Sequence, residues 1–402
     1  MRLGFFTHRY PPAVGGVENF VRTLATGLAD RHEVTVLALR VDNGPVERLT
    51  TSLAAPEPFE PFLDGPVRVE PLRISRREKA LLAPLGAQVV PVLRRYAFGR
   101  ARVPASKLYA RVIGPLIQEH ALGADVLHVF SNDILAEAGV QAARSAQIPV
   151  VITPFAHANQ YGTGPADVAA YRKCDLVLAL LEEEASLYRR LGVSGDHIAV
   201  CGAGSPGVRS GLGPAIRRRH EIEGPLVLFL ADRRPYKGYQ LLLRTIPLVS
   251  ARRPDVTFAF VGPGEPLRGV PGARVIDAGF VGEDARAGWL EAADVLCLPS
   301  EAEILPISVL EAWSVRTPAL TSDLPTLVEL MRKSGGGRTV ARESGALGAS
   351  LLELLGDRDE LRRLGEAGHA FWKSEATVEA VVRRHEQLYA KLVGSEGARC
   401  AA

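Results

Sequence analysis

Two stretches of the chain repeat one pattern of apolar and polar positions. Residues 3–7 and 225–231 are short, continuously apolar runs, and each is followed by a turn that contains glycine or proline. After each turn, apolar residues recur every three or four positions, over residues 17–30 and 239–251. A continuous apolar run favours a strand buried on both faces, and the recurring spacing favours an amphipathic helix. The pattern therefore predicts a strand, a turn and a helix at the start of each half.

Strand-like apolar runs continue through both halves and are separated by helix-like segments. Further strands are predicted at 34–39, 125–130, 150–153, 176–179 and 198–201 in the first half, and at 256–261, 275–278, 295–298 and 319–321 in the second. Strands that alternate with helices form parallel sheets with helices on both faces. The predicted fold class is therefore α/β, with two Rossmann-like doubly wound domains in tandem.

The boundary between the two domains is predicted from composition. Residues 202–224 are rich in glycine, proline, serine and arginine, which is typical of a linker. We therefore assign residues 1–205 to an N-terminal domain and residues 206–377 to a C-terminal domain. Residues 378–402 form a predicted C-terminal helix that ends near residue 392 and packs back toward the N-terminal domain, followed by a frayed tail from Gly394.

Composition and charge exclude several classes of protein. Hydrophobic residues make up 47% of the 402 residues and charged residues 23%, so the chain is globular rather than disordered. The net charge of +3 gives no reason to expect nucleic acid as a partner. The chain shows neither a signal-peptide pattern nor an apolar run of about 18 residues.

The cysteines indicate the compartment. The four of them, Cys174, Cys201, Cys297 and Cys400, have neither redox nor zinc-finger spacing. The first three lie in apolar surroundings, as reduced core residues do. We therefore expect a cytoplasmic protein.

One segment differs from the rest in charge. Residues 73–111 contain ten arginines and lysines but a single acidic residue, Glu78, with apolar residues between them. Such a segment is either a solvated helical face or a surface for an anionic partner. The second interpretation predicts weak contact with an acidic acceptor or with an anionic membrane, at its inner face.

Two glutamates eight residues apart carry the strongest chemical signal. Glu303 lies in a predicted loop after the strand at 295–298, and Glu311 lies about one turn into the helix that follows. Ligands bind at the carboxyl ends of strands in open α/β sheets, and a helix N-terminus offers free N–H groups to a phosphate. Glu311 can reach a pair of ribose hydroxyls. The alternative is that both glutamates are ordinary solvated charges.

A second cluster is basic. Arg233, Arg234 and Lys237 precede Gly238, just after the strand that opens the second half. Cations at the carboxyl end of a strand suit a diphosphate, because lysine supplies a point charge and arginine a forked donor. A basic loop without a ligand is the alternative.

Two weaker signals complete the search. Gly15 and Gly16 lie between the first strand and the first helix, where glycine lets the backbone approach a ligand closely, although a plain turn is equally compatible. The sole Asp-x-Asp pattern, Asp357 to Asp359, lies in a charged helical stretch rather than after a strand. No metal site is therefore predicted.

In combination, these motifs resemble the glycosyltransferase family 4 group of GT-B enzymes, over essentially the whole chain. The two glutamates, the basic residues before Gly238 and the Gly15–Gly16 loop occur in that family's order and approximate spacing. Three further stretches match in the same way: Phe260-Val-Gly262-Pro-Gly264, Gly279-Phe-Val281-Gly282 and residues 293–300.

The resemblance implies a fold and a reaction. The two domains would face each other across a cleft, with acceptor binding in the first and nucleotide-sugar binding in the second. The reaction would be retaining, metal-independent transfer of a hexose from a nucleoside-diphosphate sugar to a hydroxyl of a glycan, lipid or small natural product. No bound cofactor is expected, because the nucleotide sugar is a substrate.

The resemblance also implies roles for single residues, beginning with those at the transferred sugar. Glu303 would contact the sugar hydroxyls, Glu311 would bind the ribose, and Lys237 would neutralise the leaving diphosphate together with Arg233 or Arg234. His157 resembles the family's first-domain histidine near the reactive carbon; a hydrogen-bonded structural histidine is the alternative.

Backbone groups have implied roles as well. The base would meet the backbone near Val281, and the N–H groups of Ile307 and Ser308 would hold the distal phosphate. Gly262 would belong to the donor site, and Gly15 and Gly16 would line the cleft from the first domain.

Three positions depart from the family pattern. The family usually has glycine where this chain has Ile304 and Pro306, which puts the phosphate contacts of that loop in doubt. The family's arginine usually lies where this chain has Asp232, so Arg233 or Arg234 must replace it, and the sequence does not say which.

Three other functions share these features. A GT-B nucleotide-sugar epimerase would convert its donor without an acceptor. A GT-B sugar phosphorylase would carry a lysine-bound pyridoxal cofactor. A binding protein with a degenerate donor loop would turn over no donor at all.

Overall fold

The computed structural model describes most of the chain: residues 1–42, 59–86, 102–158 and 161–400. The chain divides into two compact units. The first consists of Met1–Gly202 and the C-terminal segment from Val378 onward, and the second consists of Ala203–Thr377. The division after Gly202 lies close to the boundary expected at residue 205.

Within its described residues, the first unit contains an eight-stranded sheet. Its strands are β1 (Arg2–Arg9), β2 (Glu33–Arg40), β3 (Phe62–Asp64), β4 (Val67–Pro71), β5 (Val126–Phe130), β6 (Val150–Ile152), β7 (Leu176–Ala179) and β8 (Ile198–Val200). The order across the sheet is β3, β4, β2, β1, β5, β6, β7, β8, and β3 alone runs antiparallel to its neighbour. In the central strand β1, the consecutive residues Phe5 and Phe6 are both buried, although they point to opposite faces of the sheet. This is expected because helices cover both faces of such a sheet.

The helices of the first unit follow its strands in the expected alternation. They are α1 (Gly16–Ala29), α2 (Arg76–Gly86), α3 (Arg102–Ala121), α4 (Asp133–Ala146), α5 (Pro165–Tyr171) and α6 (Glu182–Arg190). In α1 the buried positions include Phe20, Val21, Leu24 and Leu28, which form one face of the helix.

The second unit, all of whose residues are described, contains a six-stranded parallel sheet. Its strands are β9 (Leu226–Leu230), β10 (Thr257–Val261), β11 (Arg274–Gly279), β12 (Val295–Leu298), β13 (Ala319–Ser322) and β14 (Gly337–Val340). The order across the sheet is β11, β10, β9, β12, β13, β14. Its helices are α7 (Gly213–Arg219), α8 (Tyr239–Ser250), α9 (Glu283–Ala292), α10 (Ile307–Ser314), α11 (Pro325–Ser334), α12 (Ser344–Gly356) and α13 (Arg358–Glu375).

The predicted fold class is confirmed, and every predicted strand is present to within about two residues. The strands that the sequence did not indicate are β3, β4 and β14. Strand β4 alternates buried and exposed residues, β3 is three residues long, and β14 is a half-buried edge strand. None of the three has the continuous apolar run on which the prediction relied.

The predicted linker is largely part of the second unit, which corrects that expectation. Helix α7 lies inside residues 202–224 and packs on α9. The Glu291 carboxylate accepts hydrogen bonds from the N–H groups of Gly211 (2.8 Å) and Gly213 (2.7 Å), and Ile216 is buried. The glycines and prolines in this segment therefore serve a tight packing contact rather than a flexible connection.

The C-terminal helix, α14 (Val378–Cys400), belongs to the first unit and packs against α1. The two helices approach closely at Gly27, where an added Cβ would lie 2.8 Å from a methyl group of Val382. The expected frayed tail from Gly394 is wrong, since the helix continues to Cys400. Its two late glycines, Gly394 and Gly397, each cost the helix about 1 kcal/mol relative to alanine, and the helix continues through both.

The basic segment 73–111 is only partly described. Helix α2 and the first half of α3 belong to it, and residues 87–101 lie outside the described residues. Throughout the described part of the chain, every helix is too short or too polar to cross a membrane. Cys174, Cys201 and Cys297 are buried and free, as predicted.

Two buried histidines lie between the first sheet and α14. His128 hydrogen-bonds through Nδ1 to the Tyr389 hydroxyl (2.6 Å) and through Nε2 to Thr153 Oγ1 (2.8 Å). The His385 Nδ1–H donates to the Val381 carbonyl (2.8 Å). Burial lowers the pKa of His385 to about 4 and lowers that of His128 as well. Both rings are therefore neutral in the folded chain.

These histidines predict that the first unit loses stability in mild acid. As the pH falls below 6.5, the unfolded chain takes up protons on His385 that the folded chain excludes until about pH 4. Between about pH 7 and pH 5 this single group should lower the free energy of unfolding by about 2 kcal/mol. Urea denaturation of wild type and His385→Phe measures the effect, and the variant should lose less stability than wild type over this range.

The control for this experiment is the exposed histidine His197. His197→Asn should keep the full acid sensitivity of the wild type. Equal sensitivity in His385→Phe and His197→Asn would show that His385 is not a source of the effect.

Candidate functional site

The candidate donor residues follow successive strands of the second sheet. Because all of its strands are parallel, their carboxyl ends lie at one edge of the sheet. The basic cluster comes after β9, Gly262 after β10, Val281 after β11 and Glu303 after β12. The fold therefore places these segments at the same edge, which is where ligands bind in open α/β sheets.

Lys237 and Glu303 form an ion pair at this edge. The Lys237 Nζ donates to Glu303 Oε1 at 2.7 Å, and the Ser300 hydroxyl donates to the same oxygen at 3.2 Å. The side chains of Lys237 and Glu303 are 21% and 9% exposed. A cation and a carboxylate that are 66 residues apart in sequence thus share one partly buried site.

The backbone around Lys237 explains how this pair forms. A single 3-10 turn, Pro235–Lys237, ends at Gly238, whose φ is +80°. An added Cβ on Gly238 would lie 2.0 Å from the Pro299 carbonyl oxygen, so glycine is required both for its conformation and for this approach. The close contact brings the basic turn against the loop that carries Glu303.

The pKa of Lys237 reflects two opposing influences. Burial lowers it, but the negative charge and hydrogen bond of Glu303, with smaller contributions from Tyr236 and Asp232, raise it further than burial lowers it. The net pKa lies above the ordinary value for lysine. Lys237 is therefore a permanent cation at neutral pH.

The loop that carries Glu303 leads directly into α10, whose first turn offers two free N–H groups. Helix α10 begins at Ile307, and the N–H groups of Ile307 and Ser308 have no carbonyl partner within the helix because they belong to its first turn. Pro306 immediately precedes the helix, and Ile304 is buried. Ile304 and Pro306, which replace the family's usual glycines, thus do not prevent a helix from beginning at Ile307.

Glu311 is buried in the same helix and paired with a residue that the sequence did not indicate. One nitrogen of Arg286, in α9, lies 2.6 and 2.7 Å from the two carboxylate oxygens of Glu311. Burial raises the pKa of Glu311, Arg286 lowers it, and Glu283 adds a further rise, so the net pKa lies above the usual value. Arg286 follows the Gly279–Gly282 motif by four residues, but an arginine on an amphipathic helix is too common to be noticed without the structure.

Arg233 and Arg234, which the sequence did not distinguish, differ in position. The Arg233 side chain is 4% exposed and donates to Asp277 Oδ1 at 2.6 Å. The Arg234 side chain is 57% exposed and lies 2.8 Å from a carboxylate oxygen of Asp232. Arg233 therefore points into the protein, and Arg234 lies at the surface of the second unit.

In the first unit, the candidate glycine loop holds a buried carboxylate. An added Cβ on Gly15 would lie 2.0 Å from Glu18 Oε2, and Glu18 in turn pairs with Arg9 at 2.5 Å. An added Cβ on Gly16 would meet no atom within 4 Å. A side chain at position 15 would thus have to displace the Glu18 carboxylate, whereas Gly16 has open space beside it.

His157 lies after β6, in a loop whose backbone is fixed by hydrogen bonds. Its backbone N–H donates to the Tyr161 carbonyl (3.0 Å), and the two rings lie 4.6 Å apart. The neighbouring Ala156 N–H donates to the Tyr188 hydroxyl (3.4 Å), which donates to Glu184. Glu184 is buried, and burial raises its pKa to about 7. Neither Glu184 nor Tyr188 was indicated by the sequence, because both read as ordinary residues of a charged helix.

The remaining acidic pattern does not form a metal site. Asp357 caps helix α13 by accepting from the Glu360 N–H at 2.9 Å, and Asp359 is an exposed residue beside Arg362. Among the described residues, no group of three potential ligands is arranged to hold a metal ion.

Loss of Arg286 should destabilise the second unit in a pH-dependent way. Without Arg286, the buried Glu311 is most stable in its protonated form. Stability is therefore retained at low pH and lost as the pH rises above the pKa that the Glu311 carboxyl has in the unfolded chain. We expect Arg286→Ala to cost about 1–3 kcal/mol near pH 8 and clearly less near pH 5. Urea denaturation at the two pH values measures this, with Arg286→Lys as a control that keeps the cation.

The double variant Arg286→Ala with Glu311→Gln should lose this pH dependence, because no carboxyl is left to titrate. A destabilisation of Arg286→Ala that is equal at both pH values would contradict the coupling of the two side chains.

Two family models match the chain, one in each unit. The model described as "Glycosyl transferase 4-like domain" matches residues 15–204. The model described as "Glycosyl transferases group 1" matches residues 224–357. Together the two matches cover most of the chain.

Curated relatives align with parts of the chain. It is 34% identical to a phosphatidyl-myo-inositol mannosyltransferase of Mycobacterium tuberculosis over 161 residues, which is 37% of this chain and 42% of that protein. It is 28% identical to a D-inositol 3-phosphate glycosyltransferase of Nocardia farcinica over 210 residues, which is 47% of each protein. The alignments thus span less than half the length of these relatives.

Solved structures match the fold over nearly the whole length. The crystal structure of Anabaena HepE in complex with UDP and glucose has a TM-score of 0.69 and 17% identity, and the match covers 98% of this chain and 100% of that one. This likeness concerns the fold. Taken with the two family models and the curated relatives, it shows that the chain belongs to the glycosyltransferase family 4 group and has the GT-B fold.

Proposed function

We propose that the protein is a retaining, metal-independent glycosyltransferase that uses a nucleoside-diphosphate sugar as its donor. The observation that carries the proposal is the Lys237–Glu303 pair at the carboxyl edge of the second sheet, next to the N-terminus of α10. A permanent cation, free helical N–H groups and a sugar-binding carboxylate are what a sugar diphosphate requires. The UDP and glucose bound by HepE support the same donor class.

The leaving group determines the chemistry on this proposal. The bond between the anomeric carbon and the diphosphate oxygen breaks, and negative charge develops on the diphosphate. Lys237, Arg234 and the N–H groups of Ile307 and Ser308 stabilise that charge from fixed positions. The acceptor oxygen attacks on the face from which the diphosphate leaves, and its proton passes to the departing phosphate oxygen.

The two glutamates orient the donor. Glu303 accepts hydrogen bonds from hydroxyls of the transferred sugar. Lys237, which pairs with Glu303 when no ligand is bound, then binds the diphosphate instead. Glu311 accepts from the ribose hydroxyls, and the backbone of Gly262 and Val281 contacts the nucleoside. Arg286 helps to keep Glu311 ionised, since its positive charge lowers the pKa of that carboxyl.

We assign acceptor binding to the first unit, with Gly16 and His157 as its candidate residues. The open space beside Gly16 and the exposed Tyr161 next to His157 support this assignment. The names of both curated relatives contain an inositol acceptor, so phosphatidylinositol and inositol phosphate are the first acceptors to test.

Three readouts separate the proposed function from its alternatives. Conversion of a donor into an epimer with no acceptor present would identify an epimerase. Absorbance of the purified protein in the pyridoxal band would identify a phosphorylase. Transfer to an acceptor with release of the nucleoside diphosphate, unaffected by EDTA, is the outcome that the proposal predicts.

Nucleotide binding should be visible as thermal stabilisation. A ligand at about 100 times its Kd stabilises the folded state by about 2.7 kcal/mol. We expect one of UDP, GDP, ADP and dTDP to raise the Tm of the purified protein, with the same shift in EDTA. The absence of a shift with all four nucleotides would contradict the assigned donor site.

Removal of the Glu311 charge should weaken nucleotide binding. A hydrogen bond to a charged group contributes about 1.5–3 kcal/mol, so Glu311→Gln should raise the Kd of the nucleoside diphosphate by about 10- to 100-fold. The matched control is Glu301→Gln, because Glu301 is an exposed carboxylate nearby that pairs with Arg342. Titration calorimetry that finds the same Kd in Glu311→Gln and Glu301→Gln would remove the ribose assignment.

A further inference from the structure

The Arg233 side chain makes its contacts inside the second unit. Besides Asp277, its guanidinium contacts the carbonyl oxygens of Gly262 (3.3 Å) and Gly264 (3.2 Å), and its backbone N–H donates to the Pro263 carbonyl (2.9 Å). An added Cβ on Gly264 would lie 2.5 Å from the Arg233 Cβ. Arg233 is therefore packed along the loop that follows β10: its two terminal nitrogens contact protein oxygens, and its Nε is buried without a hydrogen-bond partner.

Asp277 connects Arg233 to a second loop. It lies in β11, and its carboxylate accepts from the N–H of Leu267 (2.8 Å) and the N–H of Gly279 (3.1 Å) as well as from Arg233. Burial raises the pKa of Asp277, but these hydrogen bonds and the charge of Arg233 hold it below its usual value. One carboxylate thus holds together Arg233, the middle of the loop between β10 and β11, and the end of β11.

The backbone joins the same two loops. The Gly262 N–H donates to the Gly279 carbonyl at 2.7 Å, and the pairing of β10 with β11 shifts register at this point. Gly262 has a φ of +133°, and an added Cβ would lie 2.0 Å from the Ala231 carbonyl oxygen. The ends of β9, β10 and β11 therefore form one tightly fitted backbone arrangement around the Arg233–Asp277 pair.

We propose that Arg233 and Asp277 are positioning residues that hold the loops at 262–264 and 279–281 in the shape that receives the nucleoside, and that Arg234 is the arginine that meets the diphosphate. The proposal rests on the proposed function. It assigns Arg233 to the part of the site that receives the nucleoside and Arg234 to the part that binds the diphosphate. Asp277 acquires a role that its sequence pattern did not indicate.

The surroundings of Arg234 suit a phosphate contact. Its partner Asp232 lies two residues away and is 31% exposed, with one carboxylate oxygen buried. Because Arg234 itself is 57% exposed, the pair contributes little to stability. Arg234 and Lys237 lie at the two ends of the same 3-10 turn, and the negative charge of Asp232 makes a small contribution to the raised pKa of Lys237. A diphosphate carries more charge than one carboxylate and can replace Asp232 as the partner of Arg234.

The test separates nucleoside binding from diphosphate binding. Affinities for UDP, GDP, ADP and dTDP, and for the matching nucleoside of each, are measured by titration for wild type, Arg234→Gln, Arg233→Lys and Asp277→Asn. Arg234→Gln should weaken the diphosphate by about 10-fold and leave the nucleoside unchanged. Arg233→Lys and Asp277→Asn should weaken nucleoside and diphosphate by the same factor, because both ligands use the loops that the pair holds.

The result that overturns the proposal is the reverse pattern. If Arg233→Lys weakens the diphosphate alone while Arg234→Gln changes neither ligand, then Arg233 is the phosphate residue. Arg218→Gln, an exposed arginine on α7, is the control and should match wild type for every ligand.

Hydrogen exchange keeps the proposal testable if wild type binds none of these ligands, an outcome that would count against the proposed function alone. The amides of Gly262, Leu267 and Gly279 should exchange about 10-fold or more faster in Arg233→Lys and Asp277→Asn than in wild type, and at the wild-type rate in Arg234→Gln. Unchanged protection of these amides in both Arg233→Lys and Asp277→Asn would exclude a positioning role.

Discussion

Parallel pairing in the second sheet is the constraint on which the candidate site depends. Every strand enters the sheet from the same side, so the six loops that leave it share one edge. Charged residues that are far apart in sequence are brought together there, and their partial burial makes an unpaired charge costly. The sheet therefore determines where the site lies, and the burial of its charged residues requires each charge to have a partner of opposite sign.

Three ion pairs of the second unit balance charges in this way, and each joins residues that belong to different strands or to the segments that follow them. Lys237 with Glu303 joins the loops after β9 and β12. Arg286 with Glu311 joins the helices after β11 and β12. Arg233 with Asp277 joins the loop after β9 to β11.

The three pairs differ in what a ligand would do to them. The terminal nitrogens of Arg233 and the carboxylate of Asp277 already contact groups of the protein, so a ligand would have to displace several contacts at once. Lys237 is about one-fifth exposed and has a single strong partner, so a diphosphate can share it. Breaking a buried pair by removal of one partner costs about 3–5 kcal/mol, whereas exchange of one anion for another keeps the charge balanced. On this account the diphosphate of the donor takes the place of the Glu303 carboxylate as the partner of Lys237.

The sequence was sufficient for the fold and for the residues that stand at strand ends. Continuous apolar runs located the strands of both sheets, and the distance from β12 placed Glu303 in a loop and Glu311 in a helix. The short or alternating strands β3, β4 and β14 lacked that signal, and the helix beyond Gly394 continued through a residue that usually weakens helices.

The partners of the site residues could not be predicted in this way. Arg286 and Asp277 become informative through contacts across 25 and 44 residues of sequence, which no local pattern encodes. The choice between Arg233 and Arg234 depends on which side chain the packing of Gly264 directs inward. Adjacent arginines are chemically alike until the tertiary structure buries one of them.

The most direct test of the donor site is a double-mutant cycle on Lys237 and Glu303, with the Kd of the nucleoside diphosphate and the rate of sugar transfer measured for each variant. If the donor replaces Glu303 as the partner of Lys237, Lys237→Met should weaken diphosphate binding by about 10-fold or more. Glu303→Gln should bind the diphosphate at least as tightly as wild type and lose sugar transfer, because it frees the lysine but removes a contact to the sugar. Equal losses of diphosphate affinity in both single variants, with no further loss in the double variant, would show that the pair only stabilises the fold and would contradict this account.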